Sequence, residues 1–226
     1  ILFLGTSASA PSVHRGLPAQ VAKHNEHRFL VDCGEGTQRQ ILQSGLGFKK
    51  LNRLLITHSH LDHILGIGGL VSTYLRWEAI SDLEIYAGAA ALERIHDLLY
   101  RVVMRGATAP FPIHMIPIQS GVFIEEHDFT ISAFPVNHRG PDCYGFIFKE
   151  KDKRPFLAEK AEVLNIPQGP WRRSLANGQE AELPDGRKIS PEMVLGAYQA
   201  GTKFVLVGDA GEIESLIPYC QDADGL

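Results

Sequence analysis

Along this chain of 226 residues, short β-branched or aromatic runs alternate with longer stretches of helical spacing. "ILFLG" (1–5) reads as a buried strand ended by Gly5. "PAQVAKH" (18–24) and "HRFLVD" (27–32) predict a hairpin around Asn25-Glu26. "EGTQRQILQSG" (35–45) predicts a short helix with Gly45 near its C-terminal end. "LNRLLIT" (51–57) is the next strand, and 63–77 a helix whose apolar face is Ile64, Ile67, Leu70, Val71 and Leu75. "LEIYA" (83–87) predicts a strand and "AALERIHDLLYRVV" (90–103) an amphipathic helix. Strand-like runs follow at 113–118, 122–126, 129–136 and 143–149, and the short turns between them predict antiparallel pairing. "KFVLVGDAG" (203–211) is a last strand with an acid at its tip. Helices on both sides of the strand block predict an α/β layered protein, sheets inside and helices outside; 226 residues suffice for one large domain or two small ones, and a single domain over 1–226 is the expectation.

The pattern weakens between 150 and 200. "KEKDKRP" is charged, "IPQGPW" is rich in Gly and Pro, and "ANGQEAELPDGRKISPE" is polar and turn-rich. This reads as an inserted arm with short helices at 160–165 and 191–196, a kind of excursion that usually carries function. It is also the basic part of the chain. Residues 149–190 hold nine basic and seven acidic side chains, within a molecule of net charge −4. Nucleic-acid binding would therefore have to come from a local patch, not from global charge.

Composition removes other classes. At 44% hydrophobic and 21% charged, the chain has an ordinary globular balance. No apolar run approaches the roughly 20 residues of a membrane span, and no export leader is visible. Cys33, Cys143 and Cys220 are far apart, and no C-x-x-C occurs, so reduced thiols in a cytoplasmic protein are expected.

The densest chemistry is "THSHLDH" (57–63). His58, His60, Asp62 and His63 crowd the point where a strand meets a helix, a density that invites divalent metal, Zn²⁺ first. Alternate residues of an extended chain point the same way, so His58 and His60 can grip one ion. Asp62 and His63 follow into the helix and can face a second. Two nearby ions suit hydrolysis of a phosphodiester or a strained carbonyl. A surface turn that merely holds histidines is the plain alternative, and the clustering argues against it. Further ligands should sit at other strand tips, where "FPVNHRG" places His138 and "FVLVGDAG" places Asp209.

Four other segments narrow the reading: the opening "FLGTSASAPSVHRG", "DCGEGTQRQI" after the first hairpin, "HSHLDHILGIGGL", and "IPQGPW" in the arm. With H-x-H-x-D-H, a later lone histidine and a strand-tip aspartate in that order, the chain resembles the metallo-β-lactamase superfamily. Within it, the chain is most similar to the ribonuclease Z family of tRNA 3′-processing endonucleases. The resemblance implies a four-layer αββα sandwich with a protruding arm (150–200), a homodimer, and two Zn²⁺ per subunit. It implies that His58, His60 and His138 hold one zinc, that Asp62 and His63 hold the other, and that Asp209 bridges them. Asp62 would also be catalytic, handling the proton of the attacking water. Precursor tRNA is the implied partner, its 3′ trailer the implied leaving segment, with no membrane involved. In the arm, Gly169, Pro170, Arg172 and Arg173 would contact the tRNA. The family also carries one more zinc-binding histidine and a catalytic histidine further on. No histidine follows His138, so the chain is expected to stop short of them. Two alternatives stay open: a phosphodiesterase of the same fold acting on small esters, and a catalytically incomplete RNA-binding or dimer partner.

The remaining polar residues have plainer readings. His96 is expected on a helix surface. His14, His24, His27, His114 and His127 have no clustered partner in sequence. Lys49, Lys50 and Arg53 form a small basic patch, read as a solvated edge. Asp32 and Glu35 flank Gly34 and are read as structural.

Overall fold

The Asn25-Glu26 turn forms with Asn25 at φ +51, the left-handed region that asparagine tolerates. It joins β2 (Ala19–His24) to β3 (His27–Val31) in antiparallel register, His24 opposite His27. The computed structural model describes residues 1–226. β1 (Leu2–Gly5) lies outside β2, while β4 (Arg53–Leu55), β5 (Leu83–Ala87) and β6 (Ile113–Pro117) follow β3 in parallel, giving a six-stranded sheet in chain order. Both faces of its central strands are buried, so those strands read as near-continuous apolar runs. Leu30, Leu54 and Ile85 face the helices; Phe29, Val31, Leu55 and Tyr86, the alternate residues, face a second sheet.

The helical layer on the first sheet comprises α1 (Thr37–Gln43), α2 (Leu61–Ile64), α3 (Gly66–Trp77) and α4 (Ala89–His96), which continues over Asp97–Met104 in wider π turns. Ile64, Ile67, Leu70 and Val71 pack inward as their spacing predicts, joined by Tyr74, whose hydroxyl donates to the Leu51 carbonyl. Each such buried side chain contributes about 1.5–3 kcal/mol.

The second sheet begins with β7 (Gly121–Glu125), β8 (Phe129–Pro135) and β9 (Tyr144–Glu150), all antiparallel. One expectation needs correction here. The run 113–118 does not pair with 122–126. It is β6, parallel to β5 with Met115 opposite Ile85. The chain then turns a corner between sheets, with Gly121 at φ +117. A short polar link serves a sheet-to-sheet corner as well as a hairpin, and here both Ile118 and Ile124 gain burial in the inter-sheet core.

The arm follows β9. It holds α5 (Ala158–Val163), α6 (Pro170–Ala176) and a small hairpin of two-residue strands, β10 (Ala181–Glu182) and β11 (Lys188–Ile189). The helix expected at 191–196 is only a 3₁₀ turn at Pro191–Met193, and α6 arises where loop was expected. Pro170 at the first helical position is preorganised for that start. The arm also has a small core of its own: Ala161, Ile166, Leu175, Ala181, Leu183, Ile189 and Val194. The chain returns as β12 (Lys203–Leu206), antiparallel to β9 at the sheet edge. A short outer layer closes that face. Leu216 packs on Phe134 and Val205, and Tyr219 of α7 (Ile217–Cys220) stacks on Phe134 at 4.5 Å. The layers thus run helix, sheet, sheet, helix.

At one end the sheets are pinned by charge. Arg53 bonds Glu84 and Glu126, and His24 lies between Asp128 and Glu150. The basic patch at 49–53 is therefore divided, with Arg53 committed to this network and Lys50 paired to exposed Glu26. At the opposite end, the carboxyl ends of β3, β4, β8 and β12 gather Asp32, His58, His138 and Asp209. Crevices outside such strand ends are where layered α/β folds bind ligands.

Candidate metal centre

The apolar residues of β4 carry the chain straight into the cluster. Ile56 and Thr57 remain buried, and His58 is 2% exposed. His60, in extended conformation, precedes α2, so Asp62 and His63 fall in its first turn. The turn after β3 is laced to this segment. Cys33 N–H donates to the His63 carbonyl at 2.8 Å, and Gly66 N–H donates to the Cys33 carbonyl at 2.9 Å. A Cβ on Gly66 would lie 1.9 Å from the Gly34 carbonyl oxygen, so no side chain fits there. Similarly, a Cβ on Gly208 would meet the Thr57 hydroxyl at 2.9 Å; the missing side chain lets the β12 tip approach β4.

Hydrogen bonds assign the protons. Asp32, 1% exposed, accepts from Thr57 N–H at 2.9 Å, from the Thr57 hydroxyl, and from His63 Nδ1 at 2.8 Å. A carboxylate only accepts, so His63 carries its proton on Nδ1. Thr57 gives its single hydroxyl proton to Asp32, so its contact with His58 Nδ1 at 2.9 Å must be donated by the imidazole. Both rings therefore direct an Nε2 lone pair into the cluster. Those two atoms are buried and have no hydrogen-bond partner. Buried polar nitrogens are rarely left so, and a divalent cation fits this donor set of imidazoles and carboxylates.

Two groups of donor atoms converge, each within 4.8 Å: His58, His60, His138 and Asp209; and Asp62, His63 and Asp209. His60 Nδ1 lies 3.3 Å from His138 Nε2. Asp209 belongs to both groups, its Oδ2 facing His138 Nε2 at 3.7 Å and its Oδ1 facing His63 Nε2 at 3.6 Å. Asp62 Oδ2 stands 3.8 Å from His63 Nε2 and accepts Ser9 N–H at 3.0 Å. Burial, then repulsion from His63, lowers His58 to about 4, so its imidazole is neutral. Burial pulls His63 down too, but its bond to Asp32 and the carboxylates of Asp32, Asp209 and Asp62 outweigh this and raise it.

All six predicted cluster residues meet here. The arm residues do not: Gly169 and Pro170 begin α6, Arg173 is exposed, and Arg172 donates two N–H groups to the Ile166 carbonyl. Asp32, which sequence reasoning left as structural, and Thr57, which it placed only at the end of a strand, are additions to the site. The available signal was an acid closing an apolar strand just before Cys33-Gly34; the structure holds that acid at φ +56.

A family model described as a beta-lactamase superfamily domain matches residues 27–158. The chain is 43% identical to the ribonuclease Z of Bradyrhizobium diazoefficiens, across all of this chain and 75% of that protein. It is 34% identical to the ribonuclease Z of Natronomonas pharaonis, across 99% of this chain and 72% of that one. Among solved structures it is similar in fold to the short form of human tRNase Z, with TM-score 0.66 and 23% identity, covering 99% of this chain and 74% of that one.

Proposed function

Because the chain belongs to the ribonuclease Z family of the metallo-β-lactamase superfamily, we propose that it is a metal-dependent endoribonuclease that removes the 3′ trailer of precursor tRNA and leaves a tRNA 3′-hydroxyl. The observation that carries this is the pair of buried Nε2 lone pairs, set among converging imidazoles and carboxylates. Zn²⁺ suits that donor set best. His58, His60 and His138 would hold one ion, Asp62 and His63 the other, and Asp209 both. When bound, the ions supply a lowered water pKa and a Lewis-acid hold on phosphate.

The protein's own groups do the rest. Asp32 and Thr57 keep the proton of each buried imidazole on Nδ1, away from the ligand position. Asp62, steadied by Ser9 N–H, takes the proton of the attacking water. In the arm, Gly169, Pro170 and Arg173 face the tRNA backbone, with Arg172 bracing α6 beside them. Support for the arm as a binding element is its separate core and its basic balance. The enzyme works as a homodimer in the cytoplasm, and its three cysteines are free thiols.

The test is cleavage of a precursor tRNA by full-length, Zn²⁺-loaded protein. Correct trailer removal that disappears in His138→Ala supports the proposal; an intact precursor overturns it. Deleting 150–200 separates the substrate classes. Loss of trailer cleavage with hydrolysis of a small phosphodiester retained supports a tRNA-binding arm. No change on either substrate favours a small-ester phosphodiesterase.

A further inference from the structure

Helix α4 touches both loops that carry the metal centre. At its start Ala90 N–H faces the Asp142 carboxylate at 3.4 Å, in the loop after His138. Gly88 sits closer still, where a Cβ would lie 2.4 Å from that of Asp142. Four residues on from Ala90, on the same helix face, Arg94 donates Nη1–H to the Ser59 carbonyl at 3.0 Å. Ser59 separates His58 from His60 in the chain. The guanidinium therefore rests against the H-x-H turn itself.

The centre itself is open to solvent on one side. His58 and His63 form a floor that solvent barely reaches, whereas the Asp62 and His138 side chains are 15% exposed and that of Asp209 37%. Arg94 is exposed, and no carboxylate pairs with it. A guanidinium has five N–H donors in one plane, and the Ser59 carbonyl takes one. The remaining edge is shaped for a planar pair of anionic oxygens.

We propose that Arg94 is a substrate-binding residue of this nuclease. Its free N–H edge takes a phosphate of the RNA backbone adjoining the scissile phosphodiester, while Nη1 holds the H-x-H turn. The inference rests on the endonuclease reading above.

The experiment compares wild type, Arg94→Ala and Arg94→Lys as full-length, Zn²⁺-loaded proteins. It measures KM, kcat, bound zinc, and the salt dependence of binding to precursor tRNA. For Arg94→Ala, KM rises about tenfold with a smaller change in kcat, as for loss of one charged hydrogen bond. The slope of log affinity against log salt falls in magnitude by about 1. Bound zinc stays at the wild-type level, and Arg94→Lys restores the slope and part of the KM. Wild-type KM and slope in Arg94→Ala overturn the inference. So does a fall in kcat together with zinc content that Lys does not rescue, which would mean that Arg94 only braces Ser59. Wild-type protein that leaves the precursor intact overturns the endonuclease reading and this inference together, a result no comparison of Arg94 variants can mimic.

Discussion

Replacing Asp32 by Asn tests the proton logic of the centre. Asparagine keeps the shape of aspartate and tolerates the left-handed backbone at φ +56, so the substitution changes charge and donor pattern and little else. The carboxylate faces only donors: Thr57 N–H, the Thr57 hydroxyl and His63 Nδ1. An amide nitrogen must oppose one of them. Thr57 N–H cannot give way, so the amide turns its NH₂ toward His63. The imidazole then accepts at Nδ1 and moves its proton to Nε2, the buried position from which it would hold metal. Loss of such a supporting contact typically weakens metal binding 10–100-fold, roughly 1.4–2.7 kcal/mol. Losing the charged hydrogen bond also removes about 1.5–3 kcal/mol of stability from metal-free protein. Zn²⁺ affinity by chelator competition at pH 7.5, with denaturant unfolding of the metal-free form, measures both. A folded Asp32→Asn protein binding zinc within about threefold of wild type would refute the assignment of the proton to Nδ1.

Acid should destabilise the metal-free protein through His58. Its folded value lies near 4, below the ordinary 6.5, so its contribution is present above pH 6.5 and fades as pH falls toward 4. The full swing is roughly 3 kcal/mol, offset in part by His63, whose raised value favours the folded state when protonated; unfolding at pH 7 and pH 5, with His58→Gln as reference, reads the difference. Burial pushes the Cys33 thiol up to about 12, so iodoacetamide at pH 8 should label half-buried Cys220 in native protein and reach Cys33 only in denaturant; early Cys33 labelling by peptide mapping would contradict the packing. Gly66→Ala should cost about 3 kcal/mol or more, because the new methyl meets the Gly34 carbonyl oxygen and prises the Asp32 turn from His63; a melting temperature equal to wild type would show that this approach is looser than described.

How legible the molecule was depended on how local each feature is. H-x-H-x-D-H could be read because its four ligands lie within six positions, between a strand and a helix whose patterns are clear. The elements 1–5, 18–32 and 83–103 could be read for the same reason. The pairing partner of 113–118 could not, since nothing in a short polar link says whether it closes a hairpin or joins two sheets. Helix α6 was hidden because Gly and Pro mark turns and helix starts alike. The core of the arm was hidden too, its members being scattered singly from Ala161 to Val194.

The sequence by itself determined which residues have the chemistry of a metal centre, and that His138 and Asp209 stand at strand tips. What only the tertiary structure decided is that those tips meet. Packing the second sheet on the first brings Asp209 within reach of both His63 and His138. The proton map was likewise decided in three dimensions: Asp32 lies 25 residues from Thr57 and 31 from His63. The physical reason is one of range. Periodicity and ligand spacing act over a few residues. A buried carboxylate, by contrast, takes its role from whichever donors the folded chain brings to it, and no local pattern encodes that distance.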